Sequence, residues 1–190
     1  MKATKIKTLL KSSKIKQSFV VQGWVKTFRA KRFIALNDGS SLKNLQCIVD
    51  FENLEESLLK RITTGAALHL EGKLVESQGE GQKVELLVEK LEVLGDSDPE
   101  KYPIQPKKHS LEFLREKAHL RVRTTTFAAV MRIRSKLSFA VHNFFQEQGF
   151  YYVNTPIITG SDAEGAGEMF RVSTLDAKNP PLNEVGNPDY

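Results

Sequence analysis

The chain of 190 residues has one cysteine, one tryptophan and no long apolar run, and these scarcities exclude several classes of protein. A single cysteine, Cys47, excludes an intrachain disulfide and a zinc site with several cysteine ligands. No apolar run approaches the roughly 18 residues that cross a bilayer, and residues 1–7 have no apolar signal-peptide core. The sequence therefore predicts a cytoplasmic globular protein with no membrane partner, in which Cys47 is a buried, inert thiol.

Acidic residues are absent from residues 1–37, which hold ten Lys or Arg side chains and no Asp or Glu. Residues 38–100 hold six basic and fourteen acidic side chains, so the net charge of +5 hides a strong asymmetry. A basic segment beside an acidic one predicts a face that binds a polyanion. A solvated, lysine-rich leader explains the same charges, and charge alone does not separate the two interpretations.

Hydrophobic alternation predicts five short strands and one helix between residues 18 and 94. Gly23 indicates a bulge or bend in the first strand, and Trp24 beside it is expected in the core. Residues 29–32 form a predicted basic turn. The order of three strands, a helix and two strands is that of a five-stranded oligonucleotide-binding (OB) β-barrel, and a different Greek-key barrel remains the alternative. The predicted strands are 18–28, 33–36, 45–49, 67–75 and 84–94, with the helix at 52–62 and a short helix at 4–11.

The remaining residues predict a linker and the beginning of a second domain. Three prolines between Gly95 and Lys108 oppose regular structure, and Ser110 is a predicted N-cap for a helix that reaches Ala118. A long amphipathic helix follows Thr126 and ends near Gly149. We therefore predict a barrel domain with its basic N-terminal segment at 1–98, a linker at 99–117 and the first part of another domain at 118–190.

Three residues of the barrel domain are candidates for binding single-stranded nucleic acid. Phe33 opens the second strand and can stack on a base. Arg29 in the basic turn can pair with a phosphate or a base edge. Gln46 alternates with apolar neighbours, so its side chain points away from them and can hydrogen-bond a base edge. From spacing alone, the favoured interpretation is that Phe33 is a core residue and Gln46 a solvated one.

A resemblance to a known family assigns these residues a role. Residues 23–25 (GWV), 33–34 (FI), 37–39 (NDG) and 45–50 (LQCIVD) resemble the anticodon-binding OB domain of the aspartyl, asparaginyl and lysyl group of class II aminoacyl-tRNA synthetases. The resemblance implies that Phe33 stacks on the central anticodon base and that Arg29 and Gln46 hydrogen-bond anticodon bases. It further implies that Glu85 on the last strand helps to read the first anticodon base, although alternation also allows Glu85 to be an ordinary surface charge.

Residues 149–158 (GFYYVNTPII) resemble the first signature motif of the class II synthetases. The resemblance implies a long helix and an apolar strand at the interface of a homodimer, with Gly149 and Pro156 as motif residues. Proline suits such a strand because it has no N–H to donate. The implied second domain is an α+β catalytic domain, an antiparallel sheet with helices, of which this chain would carry the beginning.

A loop of glycines and acids follows at residues 161–168 (SDAEGAGE). Its spacing fits neither an EF-hand nor a phosphate-binding P-loop, and the four histidines of the chain are not expected to form a metal site. The resemblance implies that Glu164 lies on a mobile loop and holds the ammonium group of the amino-acid substrate. A carboxylate suits this role because a buried ammonium needs a paired charge.

The resemblance implies an enzyme, and residues 119–124 (HLRVRT) and 163–170 (AEGAGEMF) resemble its asparaginyl branch. The full enzyme would use ATP and Mg²⁺ to activate asparagine and would transfer it to tRNA(Asn). No second or third class II motif is found in the sequence, so we expect no catalytic residue in this chain and no adenylation by it alone. The alternatives are a non-catalytic tRNA- or single-strand-binding module and an aspartyl enzyme that charges both tRNA(Asp) and tRNA(Asn).

Overall fold

The computed structural model describes residues 2–50, 52, 54–79, 81–160, 165, 170, 172–176 and 178–189. The chain divides into two compact units, residues 1–140 and 141–190. The first unit contains all five strands. The long helix α4 begins in the first unit and ends in the second. The helices are α1 (Ile6–Leu9), α2 (Glu56–Arg61), α3 (Leu111–Glu116) and α4 (Thr125–Glu147), and the strands are β1 (Ser18–Arg29), β2 (Phe33–Asn37), β3 (Leu45–Ile48), β4 (Ala67–Glu76) and β5 (Val84–Gly95).

The five strands close into a barrel in the order β1-β2-β3-β5-β4. The pairs are antiparallel except for β3 and β5, which run parallel. This order, with α2 between β3 and β4, confirms the predicted OB barrel. Closure leaves no unpaired sheet edge around the ring.

Alternation along the strands fills the inside of the barrel. Ile34 and Leu36 on β2 are fully buried, and so are Leu45 and Cys47 on β3. Because successive side chains of a strand point to opposite faces, their neighbours are on the outside of the barrel. Burial raises the pKa of the Cys47 thiol well above its ordinary value, and the charge of Glu85 adds to the effect. The predicted burial of this cysteine is confirmed.

The N-terminal helix α1 belongs to the same core. Ile6 and Leu9 are fully buried and pack in the barrel's apolar cluster. The backbone N–H of Ile6 donates to Oδ2 of Asp38 at 2.9 Å, and that of Lys7 donates to Oγ of Ser40 at 2.9 Å. The basic leader is therefore fixed to the β2–β3 connection over its first turn of helix.

Two glycines allow backbones to approach closely within the barrel. A Cβ on Gly72 would be 2.1 Å from the carbonyl oxygen of Leu87, and Gly72 adjoins a bulge in the β4–β5 pairing. A Cβ on Gly23 would be 2.7 Å from the carbonyl oxygen of Asn37. The predicted bulge in β1 occurs between Val25 and Thr27. Gly23 is therefore not at the bulge, and it allows β1 and β2 to pack closely instead.

The β1–β2 turn has an unusual backbone for its residue types. Ala30 and Lys31 have φ values of +50° and +51°, and the N–H of Arg32 donates to the carbonyl oxygen of Arg29 at 3.0 Å. Positive φ at both central positions is the hairpin turn that Asn and Gly favour. The predicted basic turn is present, with two side-chain-bearing residues in the left-handed region.

Outside the barrel, two helix boundaries agree with the sequence prediction. Oγ of Ser110 accepts from the N–H of Phe113 at 3.2 Å, so Ser110 caps α3 as predicted. In the second unit, Gly149 has φ +84°, its N–H donates to Gln146 O, and the N–H of Phe150 donates to Phe145 O, each at 3.0 Å. These two bonds form a Schellman motif that ends α4.

The strand predicted at residues 150–158 is not formed in the second unit. The structure assigns no strand to these residues, and the only bridge it records among the described residues of this unit joins Leu182 and Pro188. A strand needs a neighbour for its backbone hydrogen bonds, which local propensity does not supply. The side chains of Tyr151 and Ile157 are consequently exposed. Within the described part of the chain, no helix is long and apolar enough to cross a membrane.

Candidate nucleic-acid interface

The four residues predicted to contact nucleic acid share one outer face of the barrel. Arg29 on β1 is paired with Phe33 on β2, and Ala35 on β2 is paired with Gln46 on β3. Leu86 on β5 is fully buried and paired with Cys47, so its neighbour Glu85 belongs to the same outer side as Gln46. The structure thus brings Arg29, Phe33, Gln46 and Glu85 onto the surface formed by β1, β2, β3 and β5.

Phe33 is a half-buried platform on this face. It lies between Arg29 and Ile48 in the strand pairing, and its side chain points away from the core residue Ile34. The guanidinium carbon of Arg32 is 5.8 Å from the centre of its ring, within the range of a cation–π contact. An aromatic ring on the outside of an OB barrel, flanked by guanidinium groups, can stack on a base while its neighbours contact phosphate.

Glu85 anchors a network beside Gln46. Only 5% of Glu85 is exposed, although it is charged and on the outer side of its strand. Its Oε1 atom accepts from Gln46 Nε2 at 2.9 Å, Ser77 Oγ at 2.8 Å and Gln82 Nε2 at 2.5 Å. Glu85 is therefore not the ordinary surface charge that alternation allowed.

The carboxylate of Glu85 also fixes the orientation of the Gln46 amide. An ionised carboxylate only accepts hydrogen bonds, so the NH₂ group of Gln46 must face it. Nε2 of Gln46 retains a second N–H, and its Oε1 is an acceptor directed elsewhere. Gln46 consequently has both a donor and an acceptor for a base edge, in an amide orientation set by Glu85.

A groove of about 1080 Å³ lies over this face. Its floor contains Arg29, Ala35 and Gln46, and its walls come from three separate segments, residues 10–13, 42–44 and 81–83. We call it the reading groove. Two floor residues, Arg29 and Gln46, were predicted from the sequence, and no wall residue was, because the walls come together only through the fold. The run of lysines in residues 1–37 was the signal for the first wall.

A second cavity, of about 780 Å³, lies in the first unit where residues 119–136 face the barrel. Trp24 borders it and is 39% exposed, and the Arg123 guanidinium carbon is 4.1 Å from the centre of the indole. Lys26 Nζ donates to Arg123 O, and burial, with the nearby charge of Arg123, lowers the pKa of Lys26. The prediction that Trp24 is a core residue is wrong, because it points outward to this arginine.

The remaining predicted residues lie elsewhere. Glu164 falls outside the described residues. Gly149 is the C-terminal stop of α4, and Pro156 lies in the irregular, exposed segment that follows. Among the residues that the structure describes, no group of three or more His, Cys, Asp or Glu side chains is arranged to hold a metal ion.

Two family models match the chain. Residues 19–94 match the OB-fold nucleic acid binding domain model of tRNA anticodon binding. Residues 110–181 match the model of class II tRNA synthetases (D, K and N). Together these ranges contain α3, α4 and all of the barrel except the first residue of β1 and the last residue of β5.

Curated relatives and solved structures agree with the family models. The chain is 54% identical over its whole length to the asparagine–tRNA ligase of Cytophaga hutchinsonii and 50% identical to that of Acetivibrio thermocellus, and it spans 42% of the length of each. The crystal structure of asparaginyl-tRNA synthetase from Pyrococcus horikoshii, complexed with asparaginyl-adenylate, matches with a TM-score of 0.77 at 23% identity, over 91% of this chain and 41% of that one. The structural likeness concerns the fold.

Proposed function

Because the chain belongs to the class II tRNA synthetases of the D, K and N group, we propose that it carries the anticodon-reading domain of an asparagine–tRNA ligase. The observation that carries the proposal is the common outer face of Arg29, Phe33, Gln46 and Glu85, of which Arg29 and Gln46 line the reading groove. The whole enzyme would activate asparagine with ATP and transfer it to tRNA(Asn) for translation.

The geometry of the face supports a division of labour between its residues. Phe33 stacks on the central anticodon base, because its ring is held outward between two strands. Arg29, which is exposed on the groove floor, pairs with a base edge or a neighbouring phosphate. Gln46 hydrogen-bonds a base edge, and Glu85 fixes its amide and adds an acceptor for the first anticodon base.

The amino-acid end of the reaction rests on fewer residues of this chain. Glu164 would hold the ammonium group of asparagine, since a carboxylate pairs with that charge when water is excluded. Asparagine and ATP are the small substrates, and Mg²⁺ would neutralise phosphate charge during adenylation. We assign no contact to ATP or Mg²⁺ within this chain.

We assign the chain a functional division at residues 1–98, 99–117 and 118–190, as anticodon-binding domain, linker and part of a catalytic domain. Gly149 and Pro156 belong to the first class II motif and to a homodimer interface. Exposed apolar side chains of the second unit, such as Phe150 and Val153, support an interface there because they need cover. The enzyme would act in the cytoplasm.

The test is the affinity of the chain for tRNA(Asn), compared with the same tRNA carrying a changed central anticodon base, at two salt concentrations. We expect the change to weaken binding by about 1–3 kcal/mol at both concentrations, and Phe33→Ala to abolish the difference. The matched control is Phe19→Ala, a partly buried aromatic of β1 that is packed against the core. Equal binding of both tRNAs, with only a steep dependence on salt, would refute anticodon reading.

A further inference from the structure

Three lysines surround the reading groove, one on each wall. Lys11 follows α1, Lys43 lies in the β2–β3 connection and Lys83 directly precedes β5. All three are exposed. With Arg29 on the floor, the described residues that line the groove include four basic side chains and no acidic one. Glu85, on the same face, does not line the groove, and its Oε1 accepts from Gln46, Ser77 and Gln82.

The backbone holds each of these lysines in place. The N–H of Lys11 donates to Thr8 O at 3.2 Å, directly after a helix whose apolar residues are in the core. The N–H of Lys43 donates to Ser41 Oγ at 3.1 Å. The carbonyl oxygen of Lys83 accepts from the N–H of Ser77 at 3.0 Å. Three segments distant in sequence therefore direct cationic side chains to the border of one cavity.

We propose that Lys11, Lys43 and Lys83 form a phosphate-binding rim that holds the sugar–phosphate backbone of the anticodon loop while its bases meet the groove floor. The ligand is the phosphodiester backbone of single-stranded RNA. The proposal rests on the proposed function, because it places the reading groove on the anticodon loop. It extends that function to residues outside the predicted set and gives the N-terminal segment a binding role.

The rim and the floor differ in what they contribute. Phosphate contacts fix the position of the RNA and carry no sequence information, whereas base contacts on the floor specify the sequence. Loss of the rim therefore weakens correct and altered RNA equally. Removing three lysine–phosphate contacts to a single strand reduces the slope of log affinity against log salt concentration by about 2 units, at about 0.7 per contact. We call this slope the salt slope. Between 50 and 200 mM salt, the unaltered chain then loses about 16-fold more affinity than the variant.

The test compares two triple variants of the full 190-residue chain by fluorescence anisotropy with an anticodon stem-loop RNA. The groove variant is K11Q/K43Q/K83Q. The matched control is K101Q/K107Q/K108Q, which removes the same charge from three exposed lysines of the segment after the barrel. Circular dichroism and urea unfolding verify that both variants fold as the unaltered chain does.

We expect the groove variant to lose about 2 units of salt slope and to keep its discrimination between the correct stem-loop and one with a changed central base. We expect the control to change the slope by less than about 0.5 unit. Equal slopes for the two variants would overturn the rim. The groove variant could lose salt slope while the unaltered chain fails to discriminate between the two stem-loops. That result would overturn anticodon reading but would still support the phosphate-binding rim.

A second measurement assigns individual contacts. Replacing one backbone phosphate of the anticodon loop by a neutral methylphosphonate removes one charge from the RNA. If Lys11 holds that phosphate, the replacement weakens binding to the unaltered chain and has no further effect on K11Q, and the same holds for Lys43 and Lys83 at their own phosphates. Additive losses at every phosphate, for all three lysines, would contradict direct contact.

Discussion

Glu85 organises part of the interface, because one nearly buried carboxylate accepts from side chains of β3 and of the β4–β5 connection. Glu85→Gln keeps the size of the side chain and an Oε1 acceptor, but it removes the negative charge to which Gln46, Ser77 and Gln82 donate. We expect the free energy of unfolding to fall by about 1 kcal/mol in urea titrations, since hydrogen bonds to a charged group stabilise more than those to a neutral one. Glu92→Gln, at an exposed position of the same strand, is the control, and equal stability of the two variants would contradict the network.

Cys47 offers a chemical probe of the same barrel. Its thiol is fully buried, and burial raises its pKa, so the reactive thiolate is scarce and inaccessible. We expect an aromatic disulfide reagent at pH 8 to label the native chain slowly and to label it at once in denaturing urea. Labelling of the native chain at the rate of a free thiol would mean that the barrel opens readily.

Among the elements, the β1–β2 hairpin tolerates residues that its backbone does not favour. Lys31 has φ +51°, where a side chain costs about 1–2 kcal/mol relative to glycine. We expect Lys31→Gly to raise the free energy of unfolding by about 1 kcal/mol in urea. The same substitution at Lys14, which is not among the residues with positive φ, should lower it by about 0.5–1 kcal/mol. A loss of stability in both variants would argue against the hairpin geometry.

The contact between β4 and β5 gives the opposite expectation for a glycine. Gly72→Ala would place a Cβ 2.1 Å from the Leu87 carbonyl oxygen, and we expect it to lower the free energy of unfolding by about 1–3 kcal/mol. Gly95→Ala is the matched control, because the nearest atom to its added Cβ, on Ala67, is 3.7 Å away. Thermal or urea unfolding of the pair measures the difference, and equal midpoints would disprove the clash.

Across the whole molecule, we expect the local stability of the backbone to be higher in the barrel of the first unit than in residues 151–158 of the second unit. Residues 151–158 belong to no helix or strand in the described structure, whereas β1 and β4 pair along seven residues of the barrel. We expect amides of 151–158 to exchange with solvent within seconds and those of paired strand residues to exchange far more slowly. Hydrogen-exchange mass spectrometry reads both from one sample, and protection of 151–158 would reveal pairing that the structure lacks.

The features that the sequence predicted correctly are local or periodic. Burial of Ile34 and Leu36 follows from alternation, the Ser110 cap from one side chain, and the end of α4 from Gly149. These signals lie within a few residues of the element they define. The order of such elements pointed to the OB barrel, alternation directed Gln46 outward, and the outward Phe33 was implied by the family resemblance.

The features that the sequence did not reveal depend on contacts between distant residues. Glu85 accepts from Gln46, which is 39 residues away along the chain, and Trp24 points outward, where Arg123 stacks over its indole. No pattern within one segment predicts these contacts. The predicted strand at 150–158 failed for the same reason, because strand formation requires a neighbour that propensity does not specify.

The burial of α1 in the barrel core has a consequence for biosynthesis. Ile6 and Leu9 are translated well before Val84 and Leu86, yet they belong to the same apolar cluster, and the strand of Val84 and Leu86 ends at Gly95. At about 5–20 residues per second, the ribosome needs roughly 4–18 seconds to progress from α1 to the end of β5. During that interval the apolar side chains of α1 lack their partners on β5. Helix α1 thus completes its packing only after a strand far behind it in the chain has been made.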